Sequence, residues 1–380
     1  MEHGESELRE AAEYLRDNVA LRRALGVADG DLLKPRFLGA GEHNRNFRFR
    51  HSAGGREYVL RVNVAPQPFH RNQVAYEHAA LEALAPCGRT PQPLYLDCSP
   101  TALGKGVLVI SFCEGDQLDF DALRPGDLRC AAQLMADVHA VEVSQECALH
   151  RPLDPLRTLF EECLQRFAAY RASAFEDARI TKWAETFIAA ARPLLDAPCP
   201  ASDRSHIVNT ETLPSHFLIP EAAAREAAAA PDGARAGRFC AAPGSFVDWE
   251  RPLVGEVAQD VAYFVAPTTT FWDSDVLFPS AEVEDFVEAY WRAVDGRFER
   301  GNFDERSRAY RLMTALRSVT WCCKALIAYN GNNGNDAAAP AASSTGGATA
   351  PYTTAKTARK LPVYLSDDFM EMLAAECFGL

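Results

Sequence analysis

The chain has 380 residues, of which 48% are hydrophobic and 24% are charged, as is typical of a globular protein large enough for two lobes or domains. Its formal net charge of −13 and its pI near 5.2 argue against a nucleic-acid-binding surface, which needs clustered Lys and Arg to neutralise phosphates. The same negative field mildly favours a cationic small molecule as a ligand.

The targeting and redox signals point to an ordinary intracellular protein. Residues 1–10 lack the basic and apolar regions of a signal peptide, and no uninterrupted apolar run is long enough to cross a bilayer. We therefore expect a cytoplasmic protein without a membrane partner. The eleven cysteines include no Cys-x-x-Cys pair, which favours reduced, mostly buried thiols over a metal site.

The first part of the chain predicts a small sheet preceded by a helix. Apolar residues at helical spacing predict an amphipathic helix over 5–25, and 33–63 is typical of three strands. The turn at 39–46 contains Gly39 and Gly41, and such a turn lets backbone N–H groups approach phosphate oxygens. The alternative is that it is simply a hairpin turn.

A basic residue and an acidic residue stand out in the segments that follow this turn. Strand alternation places Arg61 on the face opposite Leu60. In the helix predicted over 70–85, Glu77 falls within the apolar stripe. Burying an uncompensated polar group costs about 2–7 kcal/mol, so we expect Arg61 to be the partner of Glu77. The alternative is a glutamate at the edge of the stripe that reaches water.

The apolar run 106–112 predicts a buried strand, and most of the sequence after it is helical, so we place a boundary between lobes 1–114 and 115–380. Asp127 is a candidate N-cap. Residues 220–243 could form a short helix or an insertion, and 331–355 are rich in Gly, Asn, Ala, Ser and Thr; we expect both segments to be flexible. The helix that Asp127 would cap carries Met135, Val138 and His139, and further helices are predicted over 154–172, 178–196, 256–266, 282–296, 304–329 and 366–377.

Two carboxylates follow short β-type runs in the middle of the chain. Glu211 lies in the polar loop between the runs 207–208 and 217–219, and Asp248 ends the run Phe246-Val247. Carboxylates at strand ends can present oxygen ligands to a metal from a rigid support.

This order of elements resembles the aminoglycoside phosphotransferase and choline kinase family, over about 30–330. The resemblance implies an α+β, protein-kinase-like two-lobe fold, with a small antiparallel-sheet lobe and a larger, mainly helical lobe. It implies ATP and Mg²⁺ as cofactors, a hydroxyl-bearing small molecule as acceptor, and no nucleic-acid partner. The nucleotide-binding roles then fall on Gly39, Gly41, Asn44, Arg61, Glu77, Ser111 and Cys113.

The catalytic motifs of the family are matched in part. Val247-Asp248-Trp249-Glu250 is intact and makes Asp248 a catalytic and metal-binding residue. The His-x-Asp-x-x-x-x-Asn loop keeps its spacing but carries Asn209, Glu211 and His216 at the three marked positions. An uncharacterised branch of the family with an Asn-Thr-Glu loop looks similar.

The altered loop leaves the chemistry open. Glu211 can still act as the catalytic carboxylate, although displacement by about an ångström can cost on the order of 100-fold in rate. His216 as a metal ligand would favour Mn²⁺ over Mg²⁺, because imidazole is a softer ligand than an amide oxygen; alternatively it packs locally and binds no metal. We expect Asp260 to fix this loop through hydrogen bonds.

We therefore predict an ATP-dependent kinase that transfers the γ-phosphoryl group to a hydroxyl of an aminoglycoside, amino alcohol or sugar-like molecule. One alternative is a nucleotide-binding pseudokinase with a regulatory or scaffold role, and another is nucleotidyl transfer. Trp272, Trp291 and Trp321 are candidates for acceptor contact, although tryptophans at helical spacing are more often core residues.

Overall fold

A five-stranded antiparallel sheet in the order β1-β2-β3-β5-β4 forms the amino-terminal lobe of the computed structural model. The structure describes residues 2–28, 30–41, 43–51, 55–64, 72–100, 103–196, 199–230, 238–333 and 355–379. The strands of this sheet are β1 (Arg36–Ala40), β2 (Asn44–Arg50), β3 (Glu57–Asn63), β4 (Pro93–Asp97) and β5 (Gly106–Ser111).

The alternation of β3 separates two hydrophobic cores. Tyr58, Leu60 and Val62 pack in a small core with the helices α1 (Glu2–Asp17) and α2 (Val19–Ala24). Val59 points the other way and joins the large core, together with the apolar face of α3 (Gln73–Leu84). Because side chains alternate along a strand, Arg61 shares the face of Val59 and is directed toward α3.

Short strands hold the segments around the two central carboxylates. β7 and β8 flank the loop that contains Glu211, and β9 ends two residues before Asp248. One small sheet has the order β6-β8-β9, and β7 pairs with β10. These strands are β6 (Asp116–Gln117), β7 (His206–Val208), β8 (Phe217–Ile219), β9 (Ser245–Phe246) and β10 (Leu253–Gly255).

The remainder of the chain is mainly helical and surrounds a large apolar core. No helix of the described residues is both long enough and apolar enough to span a bilayer. The helices are α4 (Asp127–His139), α5 (Pro155–Arg171), α6 (Ala178–Ala191), α7 (Glu221–Ala229), α8 (Val257–Phe264), α9 (Pro267–Asp273), α10 (Ser280–Val294), α11 (Phe303–Asn333), α12 (Ala355–Tyr364) and α13 (Asp367–Leu373).

The single helix expected over 5–25 is wrong, because the structure divides it at Asn18. The Asn18 side chain accepts the backbone N–H of Leu21 at 2.9 Å and caps α2. An asparagine oxygen competes well for a free helical N–H, and here it starts a second helix.

The N-cap expected at Asp127 is also wrong. Gly126 occupies that position with φ of 92°, and a Cβ there would lie 2.1 Å from the carbonyl oxygen of Ala224 in α7. Only glycine permits this backbone angle and this close approach of two helices. Asp127 instead accepts the backbone N–H of Arg124 at 2.8 Å.

The segments predicted to be flexible are only partly described. Within 220–243, the residues of α7 form a helix whose apolar face packs on α4, whereas 231–237 lie outside the described residues. Within 331–355, α11 continues to Asn333, and 334–354 are not described. The boundary near residue 114 stays a prediction. The sequence patterns missed β4, α9 and α12.

Candidate active site

Arg61 lies at the centre of an ion-pair network between the two lobes. Its Nε donates to Glu77 Oε2 at 2.9 Å, and its Nη2 lies 2.5 Å from Asp248 Oδ1 and 2.6 Å from Glu250 Oε1. Glu77 is buried, so the alternative of a water-exposed glutamate does not hold. One guanidinium thus joins β3, α3 and the segment after β9.

The network contains more acidic than basic side chains. Three carboxylates surround a single guanidinium, and burial raises the pKa of Glu250 to about 8, an effect that the Asp248 charge increases. Burial also disfavours ionised Asp248, but Arg61 and then His216 hold the pKa of Asp248 below its usual range. Asp248 therefore stays ionised, and 34% of its side chain remains exposed toward a ligand.

Asp248 is presented by a strained turn. Its φ is 65°, in the left-handed region that a residue with a Cβ rarely occupies, and its carbonyl oxygen accepts the Asn209 amide at 2.8 Å. Below it, Trp249 is buried and donates its indole N–H to the carbonyl of Phe246 at 2.9 Å. The intact Asp-Trp-Glu motif thus places Asp248 on a rigid aromatic support.

Asp260, at the start of α8, holds the loop that contains Glu211. Its Oδ2 and Oδ1 accept the backbone N–H groups of Asn209 and Thr210, both at 2.7 Å. His139 lies 3.2 Å from the same carboxylate, a contact that the sequence did not indicate. The expected fixing of the loop by Asp260 is confirmed, and Thr210 takes a φ of 71° within it.

Two arginines clamp the carboxylate of Glu211. Arg317 of α11 donates to Glu211 Oε1 and also to the Thr210 carbonyl at 2.9 Å, and Arg251 lies 3.4 Å from Glu211 Oε1. Burial alone would raise the pKa of Glu211, but the charges of Arg317 and Arg251 lower it. The side chain is 33% exposed, so an ionised carboxylate remains accessible.

Neither arginine was found by sequence reasoning. Arg317 lies among buried apolar residues of α11, as Glu77 lies within α3, so a charge within an apolar stripe was an available signal. Arg251 immediately follows the Asp-Trp-Glu motif and carries no signal of its own.

His216 lies beside Asp248 and within the electrostatic influence of Glu211. Its Nε2 lies 3.3 Å from Asp248 Oδ2, and burial lowers its pKa although Asp248 and Glu211 oppose the shift. A neutral imidazole in this position can donate to Asp248 or offer a nitrogen lone pair. Glu211, His216 and Asp248 therefore face one site.

The other predicted nucleotide residues lie in two places. Gly39 and Gly41 are at the β1–β2 turn, where an added Cβ would meet no described atom within 4 Å. Asn44 is buried and donates to Glu250, which ties this hairpin to the network. Ser111 accepts the backbone N–H of Gln92 at 2.9 Å at the end of β5.

Cys113 forms a separate group with Ser111 and Ser245, close to β9, and burial raises the pKa of its thiol. The three tryptophans considered as acceptor contacts pack against aromatic rings: Trp272 lies edge-on to Trp321 at 5.3 Å between centroids, and Trp291 lies edge-on to Phe303 at 4.9 Å. Both contacts are typical of core packing.

The donor set fits a magnesium ion that shares its coordination with a nucleotide. Within the described part of the chain, no three His, Cys, Asp or Glu side chains form a metal cage. Mg²⁺ is usually held by one or two carboxylates together with phosphate oxygens and water. The ionised and partly exposed carboxylate of Asp248 suits such a cation.

Comparisons with solved structures support the fold described above. Solved structures similar to this chain include a choline kinase from Cryptosporidium parvum Iowa II (10% identity, 96% of this chain and 96% of that chain, TM-score 0.59). An ethanolamine kinase from Plasmodium vivax is 14% identical over 93% of this chain and 88% of that chain, with a TM-score of 0.57. At these identities the likeness shows the fold alone, which is the expected kinase-like one.

A spectinomycin phosphotransferase, solved with ADP and spectinomycin, is 11% identical over 83% of this chain and 90% of that chain, with a TM-score of 0.53. No curated protein matches the sequence. The comparisons give no support to the alternative of a non-catalytic regulator.

The model of the phosphotransferase enzyme family matches residues 34–219. This segment, which includes Arg61, Glu77, Glu211 and His216, is therefore similar to the phosphotransferase enzyme family.

Proposed function

We propose that the protein is an ATP-dependent phosphotransferase that moves the γ-phosphoryl group to a hydroxyl of a small molecule. The observation that carries this proposal is the Arg61 guanidinium, which binds Glu77 and Asp248 at once beside the Glu211 loop. ATP as the donor is supported by the ADP in the structure of the similar spectinomycin phosphotransferase. The proposal includes a cytoplasmic location, where ATP is available, and neither a nucleic-acid nor a membrane partner.

On the nucleotide side, each residue has a distinct task. Arg61 would contact the phosphate oxygens, and Glu77 would hold its guanidinium in place. The turn with Gly39 and Gly41 would cover the phosphates with backbone N–H groups, because it presents no side chain that would block their approach. Ser111, Cys113 and the connector after β5 would contact the base.

On the acceptor side, Glu211 would orient the attacking hydroxyl. As the hydroxyl oxygen bonds to the γ-phosphorus, the bond from that phosphorus to the bridging oxygen breaks and ADP leaves with the electron pair. The hydroxyl proton passes to the Glu211 carboxylate. Arg317 and Arg251 lower the pKa of Glu211 and make it a weaker base, so orientation of the hydroxyl contributes to the rate alongside proton transfer.

Mg²⁺, held by Asp248 together with phosphate oxygens and water, would supply charge neutralisation of the transferred group. His216 is close enough to Asp248 to act as a further ligand, and its nitrogen would shift the preference toward Mn²⁺.

The test is metal-dependent ATP turnover by the wild type and by Asp248→Asn. We expect the variant to lose at least about 100-fold in turnover, because the amide cannot replace the anionic ligand. Asp304→Asn is a matched control, since Asp304 lies at an exposed end of α11 with a side chain 58% exposed, and it should keep wild-type turnover. Equal rates for Asp248→Asn and wild type, or no turnover by wild type with any metal, would exclude the proposal.

A further inference from the structure

Three arginines from separate elements surround two carboxylates beside the Glu211 loop. We call Arg166 of α5, Arg251, and Arg317 of α11 the arginine cluster. Arg166 Nη2 lies 3.1 Å from Glu162 Oε2, and Arg251 Nη2 lies 3.2 Å from Glu162 Oε1. Arg251 and Arg317 also contact Glu211. The cluster thus lies where α5 and α11 pack together, next to the carboxylate that faces the acceptor.

The charges in this cluster do not balance. Three guanidinium groups share two carboxylates, and the side chains of the three arginines are only 14%, 17% and 9% exposed. The nearby Cys163 and Tyr263 add no negative charge, because burial raises the pKa of Cys163 to about 11 and the pKa of Tyr263 to about 12. Among these described contacts the guanidinium groups outnumber the carboxylates in a largely desolvated place, which is costly unless an anion joins them.

Arg166 carries the most direct sign of a missing partner. Its Nη1 is buried and has no hydrogen-bond partner among the described residues. Burial lowers the pKa of Arg166, and the charge of Arg317 lowers it further. A buried guanidinium N–H without an acceptor is rare. The free-energy cost of leaving it unpaired exceeds the stabilisation that most surface contacts provide.

We propose that the arginine cluster binds an anionic group, a carboxylate or a phosphate, carried by the acceptor itself. This inference rests on the proposed phosphotransferase function and narrows its substrate class to hydroxyl compounds with an oxyanion near the reacting hydroxyl. Guanidinium groups bind such oxyanions with paired, charge-assisted hydrogen bonds. The local charge outweighs the overall charge of −13, which by itself favours a cationic ligand.

The substrate test compares small hydroxyl compounds that differ mainly in charge: glycerol, D-glycerate, glycerol 3-phosphate and choline, each with ATP. We expect kcat/KM for the two anions to exceed that for glycerol by roughly 10- to 100-fold, the range that hydrogen bonds to charged groups provide, and choline to be the poorest. The better of the two anions identifies the carboxylate or the phosphate as the bound group. Equal use of glycerol and the anions would overturn the inference and leave the phosphotransferase function intact.

The variant test separates binding from folding. Arg166→Gln should raise KM for the anionic acceptor by about tenfold with little change in kcat, and Arg166→Lys should restore part of the affinity. A purely structural role would lower kcat for glycerol and the anions alike, which would contradict the inference.

A binding measurement keeps the inference testable without turnover. Calorimetric titration of D-glycerate and glycerol 3-phosphate, with the nucleotide site filled by a non-hydrolysable ATP analogue, should show binding to wild type that Arg166→Gln loses. If no compound is phosphorylated but this difference is present, the anion site stands and the proposed function fails. No binding, or equal binding by both proteins, would overturn the anion site.

Discussion

Arg61 Nη2 lies 2.5 Å from Asp248 Oδ1, which connects the third strand of the sheet lobe directly to the acid that follows β9. The two residues are far apart in the sequence, and the same guanidinium also binds Glu77 and Glu250. The two lobes are therefore joined at the centre of the site by one guanidinium that contacts three carboxyl groups.

This arrangement predicts that Arg61 matters for stability as well as for nucleotide binding. Arg61→Met should reduce the free energy of unfolding by about 3–5 kcal/mol, because it leaves buried carboxylates without a partner. Arg61→Lys should reduce the free energy of unfolding by less, about 1–3 kcal/mol. Its ammonium keeps the positive charge but cannot reproduce the forked contacts of a guanidinium. Urea denaturation measures both values.

The matched control for Arg61 is Arg225→Lys. Arg225 pairs with Glu221 on the surface of α7, with side chains 75% and 68% exposed. This change should stay within about 0.5 kcal/mol of the wild type, as exposed ion pairs contribute little. A full wild-type stability for Arg61→Met would show that the network does not hold the lobes together.

Glu211 is predicted to act through its charge and its position. Glu211→Gln keeps the shape but removes the proton acceptor, and kcat should fall by roughly 100- to 10,000-fold. Glu211→Asp keeps the charge but draws the carboxylate back by about an ångström. Its kcat should therefore fall by less, on the order of 100-fold. Steady-state kinetics of both variants shows which substitution lowers kcat more. A Gln variant as active as the Asp variant would rule out proton transfer to this residue.

His216 is predicted to set the metal preference. His216→Asn replaces the imidazole by an amide oxygen, which Mg²⁺ accepts more readily, so the ratio of the Mn²⁺-supported to the Mg²⁺-supported rate should fall by roughly tenfold. Turnover measured across both metals gives this ratio. An unchanged ratio would indicate that His216 only hydrogen-bonds to Asp248.

His206, on β7, predicts a loss of stability in acid. Burial lowers its pKa to about 4, partly opposed by the bond from its ring nitrogen to the His139 carbonyl at 2.7 Å. The unfolded chain takes up this proton below about pH 6.5, whereas the folded chain does so only near pH 4. The unfolded state therefore binds more protons in this window, so stability is full above pH 6.5 and falls as the pH decreases toward 4.

The measurement for His206 is urea denaturation of wild type and His206→Asn between pH 4 and 7. The wild type should lose roughly 1–3 kcal/mol more than the variant across this range, since each pKa unit corresponds to about 1.4 kcal/mol. Carboxylates common to both proteins cancel in the difference. Parallel curves would show that His206 does not titrate in this way.

Several elements of the site followed from the sequence alone, because they depend on local periodicity. The alternation of β3 fixed the face of Arg61, and the helical stripe of α3 marked Glu77 as a residue that needs a partner. The spacing of Glu211, His216 and Asp248 after short strands was also visible without a structure. Local patterns did not predict the start of α2, which depends on a single hydrogen bond to the Asn18 side chain. They also did not predict the start of α4, where Gly126 allows α4 and α7 to approach each other.

What the sequence indicated by itself was the resemblance to the phosphotransferase family, the kinase-like fold and the candidate acidic residues of the site, since motif spacing and periodicity are properties of the chain. Only the tertiary structure decided which cations surround Glu211. Arg251 and Arg317 are 40 and 106 residues away from it along the chain, and Arg166 joins them through Glu162. Such contacts depend on which faces of α5 and α11 pack together. An apolar stripe can mark Arg317 as a charge that needs a partner, but no local pattern says which carboxylate it meets.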